Sequence, residues 1–362
     1  MRIVHVDTGH TLRGGQRQLL SLARGLSQQG HTQLVVCPEA SELESVSRRT
    51  GLSVFSLPAH DPAHAHGILQ LRQQLLASPY QILHAHDGRG QTLAWLASLG
   101  KSVRRVASRR VTFVPKNRWT HGWKYGYTCH AVIAVSDFIR KLLIQAGVPD
   151  SKIEVVPDRI EVPVNVPTAE LRSKVRAKWG FSDQELVLGH LGAFTREKGQ
   201  DVALDAVLLL VDRLPQARLL LAGQGPMRTF PELAPRLERA GRRAQLCLDI
   251  EDLADFYPAL DIFVMPSRAE GLGSAALQAM AFGIPVVASR VGGLPEIVRE
   301  EETGWLVHPD SAAALAEAIM TAAWDRQRLD TIGQNARERA QQFSTDIMLA
   351  RTEALYARVL SR

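Results

Sequence analysis

The feature that most constrains this chain is the alternation, from end to end, of short apolar runs with amphipathic stretches of helical period. Runs that are apolar on both faces need helices on both sides of a sheet, which predicts a parallel α/β architecture. In the first half, strands are expected at residues 2–6, 33–37, 53–57, 81–84, 105–108 and 131–134. Helical stretches lie between them; the one over 16–29 carries Leu19, Leu20, Leu22, Ala23 and Leu26 on one face. Ser136 is suited to cap a helix over 137–146. The run Val155-Val-Pro-Asp-Arg-Ile-Glu-Val-Pro-Val-Asn-Val-Pro167 breaks the pattern and reads as an interdomain linker. A helix over 169–179 then opens a second series, with strands expected at 186–190, 218–222, 244–248, 262–265, 285–288 and 304–307. The closing helices run from residue 311 to the end. A length of 362 residues suits two such domains.

Composition narrows the class. Hydrophobic content of 45% and charged content of 22% are those of a soluble globular protein, and no apolar run reaches bilayer length. Residues 1–7 read directly as a first strand, without the apolar core of a signal peptide. Cys37, Cys129 and Cys247 are odd in number and scattered, which predicts a reducing cytoplasm and neither disulfides nor a cysteine metal site. The net charge of +6 is uneven: residues 1–165 hold 20 Lys/Arg against 11 Asp/Glu. Such a bias suits an anionic partner surface.

Ligand-friendly turns follow several strands of the second half, at the carboxyl ends where doubly wound sheets bind ligands. After the strand at 186–190 comes Leu191-Gly-Ala-Phe-Thr-Arg-Glu-Lys-Gly-Gln200, offering Gly192, Arg196 and Lys198. Two cations there suit a diphosphate; a solvated loop balanced by Glu197 is the plain alternative. Gly223-Gln-Gly-Pro226 is a tight turn. Pro266-Ser-Arg-Ala-Glu-Gly-Leu-Gly-Ser274 sets Glu270 before two glycines and a helix of small residues. Backbone amides at such a helix start can hold an anion, leaving Glu270 for a hydroxyl. Gln278 lies eight residues beyond Glu270, in reach of a ribose hydroxyl, and Val291-Gly-Gly-Leu-Pro-Glu296 adds a further glycine turn.

The ordered series G-A-F-T-R-E-K-G, G-Q-G-P, E-G-L-G-S-A-A-L-Q-A-M, G-I-P-V-V-A-S and V-G-G-L-P-E resembles the donor domain of family-4 retaining glycosyltransferases of group 1, with the GT-B fold. The match covers about residues 185–310; the first half agrees more loosely, at Gly14-Gly15, His84-Ala-His86-Asp87 and Val135-Ser-Asp-Phe-Ile139. The resemblance implies an α/β fold of two Rossmann-like domains with parallel sheets facing a cleft. The acceptor-binding domain would span 1–163 with a returning C-terminal helix from about 344 to 362, and the donor-binding domain 164–343. By position, Arg196 and Lys198 would hold the diphosphate of a nucleotide-sugar with the Gly271, Leu272, Gly273 and Ser274 amides. Gly192 and Gly223 would line the donor site, Glu270 would contact the donor sugar, and Gln278 would take the ribose position. His86 would lie near the sugar, and Gly15 would approach the phosphates.

This chain departs from the family pattern in three places. Gln278 stands where a second glutamate is usual, Ala193 where an arginine is common, and Pro157-Asp-Arg-Ile160 replaces an Asn-Gly turn. The chemistry implied is retaining transfer, in which cations and amides stabilise charge on the leaving diphosphate. No cofactor or metal is expected. There is no Asp-X-Asp triplet; Asp249-Ile-Glu251, the nearest match, reads as a helix opening. Of the histidine-dense zone His60, His64, His66, His84 and His86, only His86 is assigned to the donor. A basic segment from Lys101 to Lys124, interleaved with Phe113, Trp119, Trp123, Tyr125 and Tyr127, suits an anionic membrane surface better than nucleic acid. These readings imply a cytoplasmic enzyme, peripheral at the membrane, acting on a cell-envelope glycan or glycolipid of lipopolysaccharide type. A catalytically weak scaffold of the same fold and a nucleotide-sugar epimerase are the alternatives.

Overall fold

The computed structural model describes residues 1–58, 65–112, 122–223, 230–248, 250 and 252–362. Its strands form two sheets, and every pairing between them is parallel. Strands such as Ile82–Ala85, Ala131–Ala134 and Ile262–Met265 are buried at all their residues, as strands covered on both faces must be.

The chain divides into two compact units, Met1–Arg159 with Thr345–Arg362, and Ile160–Ser344. The expected boundary at 163/164 lies four residues beyond this division. The first unit holds β1 (Arg2–Val6), β2 (Thr32–Pro38), β3 (Ser53–Leu57), β4 (Ile82–Ala85), β5 (Arg104–Arg109), β6 (Ala131–Ala134) and β7 (Ile153–Val155). Their order is β3-β2-β1-β4-β5-β6-β7. The edge strand β7 is not among the expected strands, because its three residues run straight into the Pro-rich segment. The last helix, Thr345–Leu360, belongs to this unit: Met348, Leu349, Leu355 and Tyr356 share a core with Ile3, Leu22, Leu26 and Ile82. Ser136 caps its helix, its Oγ accepting from the Ile139 amide at 3.2 Å.

The second unit holds β8 (Leu186–Leu191), β9 (Ala217–Gly223), β10 (Ala244–Leu248), β11 (Ile262–Met265), β12 (Val286–Ser289) and β13 (Gly304–Val307), in the order β10-β9-β8-β11-β12-β13. Its core joins Leu188, Leu219, Leu221 and Val264 from the sheet to Val202, Leu204 and Val207 of the helix Gln200–Leu209. Asp261, just ahead of β11, is buried and accepts from the Val187 amide at 2.7 Å while pairing with Arg172, Arg176 and Arg326. This cluster pins the start of β8 to the start of β11. In each unit the strand order reverses once, between β1 and β4 and between β8 and β11. Loops leaving such a pair diverge and open a crevice at the carboxyl ends.

Candidate active site

Two of the expected site residues meet at the β8/β11 reversal. Lys198 lies in the loop after β8 and Glu270 in the loop after β11, and Lys198 Nζ donates to Glu270 Oε2 at 2.7 Å. Their side chains are 25% and 12% exposed, so the pair is reachable yet partly shielded from solvent screening. Ser267 Oγ donates to the same carboxylate oxygen at 3.3 Å.

Three local devices hold these loops together. Gly199 has φ 69°, and a Cβ there would strike the Pro266 carbonyl, so glycine alone lets the two loops touch. Gly292 (φ 58°) likewise lies against the Glu270 carbonyl, and the neighbouring Gly293 amide donates to that oxygen at 3.2 Å. Arg268 is the third. Its guanidinium forks onto Asp201 at 2.9 and 2.7 Å, reaches Asp310, and donates to the Arg196 carbonyl at 2.6 Å, while its amide donates to the Glu197 carbonyl. Burial opposes ionisation of Asp201, but the Arg268 fork outweighs it and holds the carboxyl below its ordinary range. Arg268 was not singled out in the sequence; its place two residues before Glu270 was the only signal.

The remaining donor-side residues are distributed as follows. Arg196 is exposed, in a short turn shared with Lys198. Gly192 directly follows β8 and Gly223 ends the neighbouring β9, and a Cβ on Gly223 would meet the Gly192 carbonyl. Residues 224–226 of the G-Q-G-P turn, like Asp249, Glu251, His60, His64, Phe113 and Trp119, lie outside the described residues. Gly271, Leu272 and Gly273 are buried and lead into the helix Ser274–Ala281, whose N-cap Gly273 provides no side-chain cap. Its first-turn amides therefore suit an anion. Gln278 is buried and turned to the backbone of one residue: its Oε1 accepts from the Glu161 amide at 3.2 Å and its Nε2 donates to the Glu161 carbonyl at 2.5 Å. An amide can make both bonds, whereas a carboxylate can only accept. His190, on β8, donates through Nδ1 to the Val264 carbonyl at 3.0 Å, and burial lowers its pKa to about 4.

A cavity of about 460 Å³ lies at the amino ends of β8–β10, where Glu185 and Arg218 pair at 2.7 Å. That is the opposite edge of the sheet from Lys198 and Glu270.

In the first unit, Gly15 opens the helix Gly14–Gln28, and a Cβ on it would lie 4.0 Å from the Arg110 side chain. His86 follows β4 and gathers with two further histidines, His5 of β1 and His84 of β4. Every ring is buried, and burial lowers all three pKa values, that of His5 to about 4. Above its ordinary pKa near 6.5 a buried imidazole is neutral in both states and costs nothing; below it the unfolded chain takes up a proton that the fold resists, which opposes folding. Stability should therefore fall as pH drops from about 6.5 toward 4. Urea midpoints across that range check this; a midpoint flat between pH 7 and 5 contradicts it.

Two sheets of parallel strands in an α/β arrangement are the architecture of GT-B glycosyltransferases, and comparison with known proteins makes that assignment. Sequence profiles of "Glycosyl transferases group 1" and "Glycosyltransferase Family 4" match residues 172–339 and 12–161. The D-inositol 3-phosphate glycosyltransferase of Corynebacterium aurimucosum is 30% identical over 335 residues, covering 86% of this chain and 79% of that one. The GDP-mannose-dependent alpha-(1-6)-phosphatidylinositol monomannoside mannosyltransferase of Mycolicibacterium smegmatis is 28% identical over 352 residues, covering 89% and 88%. Anabaena Alr3699/HepE, solved with UDP-glucose, superposes with a TM-score of 0.88 at 23% identity, covering 99% of this chain and 100% of that one. The chain belongs to the family-4, group 1 glycosyltransferases, and it is a transferase enzyme.

Proposed function

We propose that this enzyme moves a sugar from a nucleotide diphosphate to a cell-envelope glycan or glycolipid with retention of anomeric configuration. The Lys198–Glu270 pair at the strand reversal carries the proposal. In this reading, Lys198 leaves Glu270 to meet the diphosphate, joined by Arg196 and by the amides of Gly271 to Ser274. These groups stabilise charge that grows on the leaving group, so they act more strongly on the transition state than on the bound donor. Glu270, released from Lys198, accepts from a donor-sugar hydroxyl. Gly192 and Gly223 permit close approach of the nucleotide, Gly15 that of a phosphate, and His86 contacts a sugar hydroxyl. We assign Gln278 to the ribose end of the donor, where engagement of a hydroxyl would compete with its bonds to Glu161. The cationic groups supply the charge compensation for which a metal is otherwise used, and no cofactor is invoked.

The lipid moiety in the Mycolicibacterium relative's name supports a glycolipid acceptor. A place at the cytoplasmic face of a membrane is supported by the basic first half and by Trp123 and Tyr127, which are 51% and 72% exposed and stacked on each other. Among the described residues, no helix is long and apolar enough to cross a membrane. Co-sedimentation with liposomes should require anionic lipid and fade as salt is raised. Binding that ignores salt contradicts this part. The transfer itself is tested by screening UDP-, GDP- and ADP-sugars for slow hydrolysis. The NMR signal of the first sugar released should keep the donor's anomeric configuration, and an inverted product would rule out retention.

A further inference from the structure

We infer that His5 and Gln33 form a buried positioning relay that fixes the tautomer of His86, so that His86 and Arg110 together recognise one sugar hydroxyl. The inference rests on the proposed contact of His86 with a sugar. The parallel register brings the relay together: His5 of β1 lies opposite His84 of β4, and Gln33 of β2 lies beside Ile3. His5 Nε2 is 2.8 Å from Gln33 Oε1, and His5 Nδ1 is 3.0 Å from His86 Nε2. His5 is 0% exposed, Gln33 5% and His86 6%.

Donor and acceptor chemistry then orders the protons. Gln33 Oε1 can only accept, so His5 Nε2 carries the hydrogen. A neutral imidazole has one, so His5 Nδ1 accepts and His86 Nε2 donates. The Nδ1 of His86 is left with its lone pair. Burial keeps all three rings neutral at pH 7, as this pattern requires. Turning the Gln33 amide over would reverse every proton and set an N–H on His86 Nδ1. That position faces Arg110 Nη1 at 3.5 Å, and a guanidinium only donates. Arg110 is itself held by Asp158, Nε to Oδ1 at 2.9 Å. The reversed order places donor against donor.

His84 stays outside the relay: its Nδ1 pairs with Tyr356 Oη at 2.6 Å and its Nε2 with Ser108 Oγ at 2.8 Å. Its ring lies 4.1 Å from that of His86 and fixes the ring plane. The three imidazoles are close enough to gather a cation. However, the facing nitrogens of His5 and His86 satisfy each other, and the charge of Arg110 opposes a metal. What the pair offers is one acceptor, His86 Nδ1, beside one donor, Arg110 Nη1. A hydroxyl matches both, giving its proton to the first and a lone pair to the second. A phosphate oxygen matches only the second.

The test uses the full chain labelled with ¹⁵N-histidine at pH 7, with His86 assigned by comparison with His86→Gln. Wild type should show the hydrogen of His86 on Nε2 and a bare Nδ1. An Nδ1–H tautomer, an imidazolium, or zinc co-purifying at one equivalent overturns the relay, even if the His5 and Gln33 variants do not fold. In kinetics, His5→Leu and Gln33→Leu should each lower kcat about tenfold with KM little changed. His5→Asn, whose Oδ1 still accepts from His86, should recover much of that loss. Unchanged kcat in both Leu variants, or no recovery by Asn, counts against a positioning role. Stabilisation of wild type by UDP or GDP is read separately. Its absence beside the expected tautomer would defeat the donor reading and leave the proton order standing.

Discussion

Replacing Lys198 by alanine is expected to lower transfer by about a hundredfold to a thousandfold, the usual effect of removing one group that stabilises leaving-group charge. The melting temperature should hardly change. Lys198 is partly exposed and its partner Glu270 keeps a second bond from Ser267, so no buried charge is orphaned. The loss should appear mainly in kcat, because charge on the diphosphate grows as the glycosidic bond breaks. Glu270→Gln tests the other half of the pair. It keeps an acceptor for a sugar hydroxyl but removes the anion that neutralises Lys198, so it should weaken discrimination among sugars more than nucleotide binding. Steady-state kinetics on the donor identified by screening, with circular dichroism as the control for folding, measure both. Turnover in Lys198→Ala within threefold of wild type would remove Lys198 from the mechanism.

The second large effect concerns stability. Asp261→Ala should cost about 3–5 kcal/mol, since it breaks a buried ion cluster from one side only. Arg176 is itself fully buried; without Asp261 its guanidinium keeps only carbonyl partners, Ala259 at 3.0 Å and Glu185 at 3.1 Å among them. The Val187 amide would also lose its acceptor. Against a typical total of about 5–15 kcal/mol, such a loss leaves the second unit marginal. The pH dependence follows the same logic. Burial raises the Asp261 pKa, but the arginines outweigh it and the net direction is downward. Its stabilisation is therefore present above the ordinary carboxylate range and is lost as pH falls through the lower folded value. Urea denaturation with an unchanged slope reads the difference directly. A shift below about 1 kcal/mol would mean that the cluster contributes little beyond its own desolvation cost.

The alternation of apolar runs and helices made the two parallel sheets legible, because a parallel strand must be apolar on both faces. The three-residue β7 was not legible, since Ile153–Val155 runs straight into the proline-rich segment. The Lys198 and Glu270 loops were visible as charged groups among glycines, and their meeting follows from the β8/β11 pairing. Other parts depend on strand order, which local spacing does not reveal. His5 lies 81 residues from its partner His86 and comes beside it only because β1 pairs with β4. Asp261 reads in the sequence as an ordinary acidic residue before a strand; its three arginines come from positions 172, 176 and 326. The spacing of Gln278 from Glu270 suggests a ribose contact; its engagement with the Glu161 backbone depends on the fold of the second unit and leaves no local signal.

The central claim is that the loops after β8 and β11 hold a nucleotide diphosphate through Lys198. Isothermal titration of the intact chain with UDP, GDP and ADP, repeated on Lys198→Ala, tests it most directly. At least one nucleotide should bind wild type, and the variant should bind it at least about tenfold more weakly, a difference of roughly 1.4 kcal/mol. Binding of none of the three, or equal affinity in wild type and variant, would contradict it.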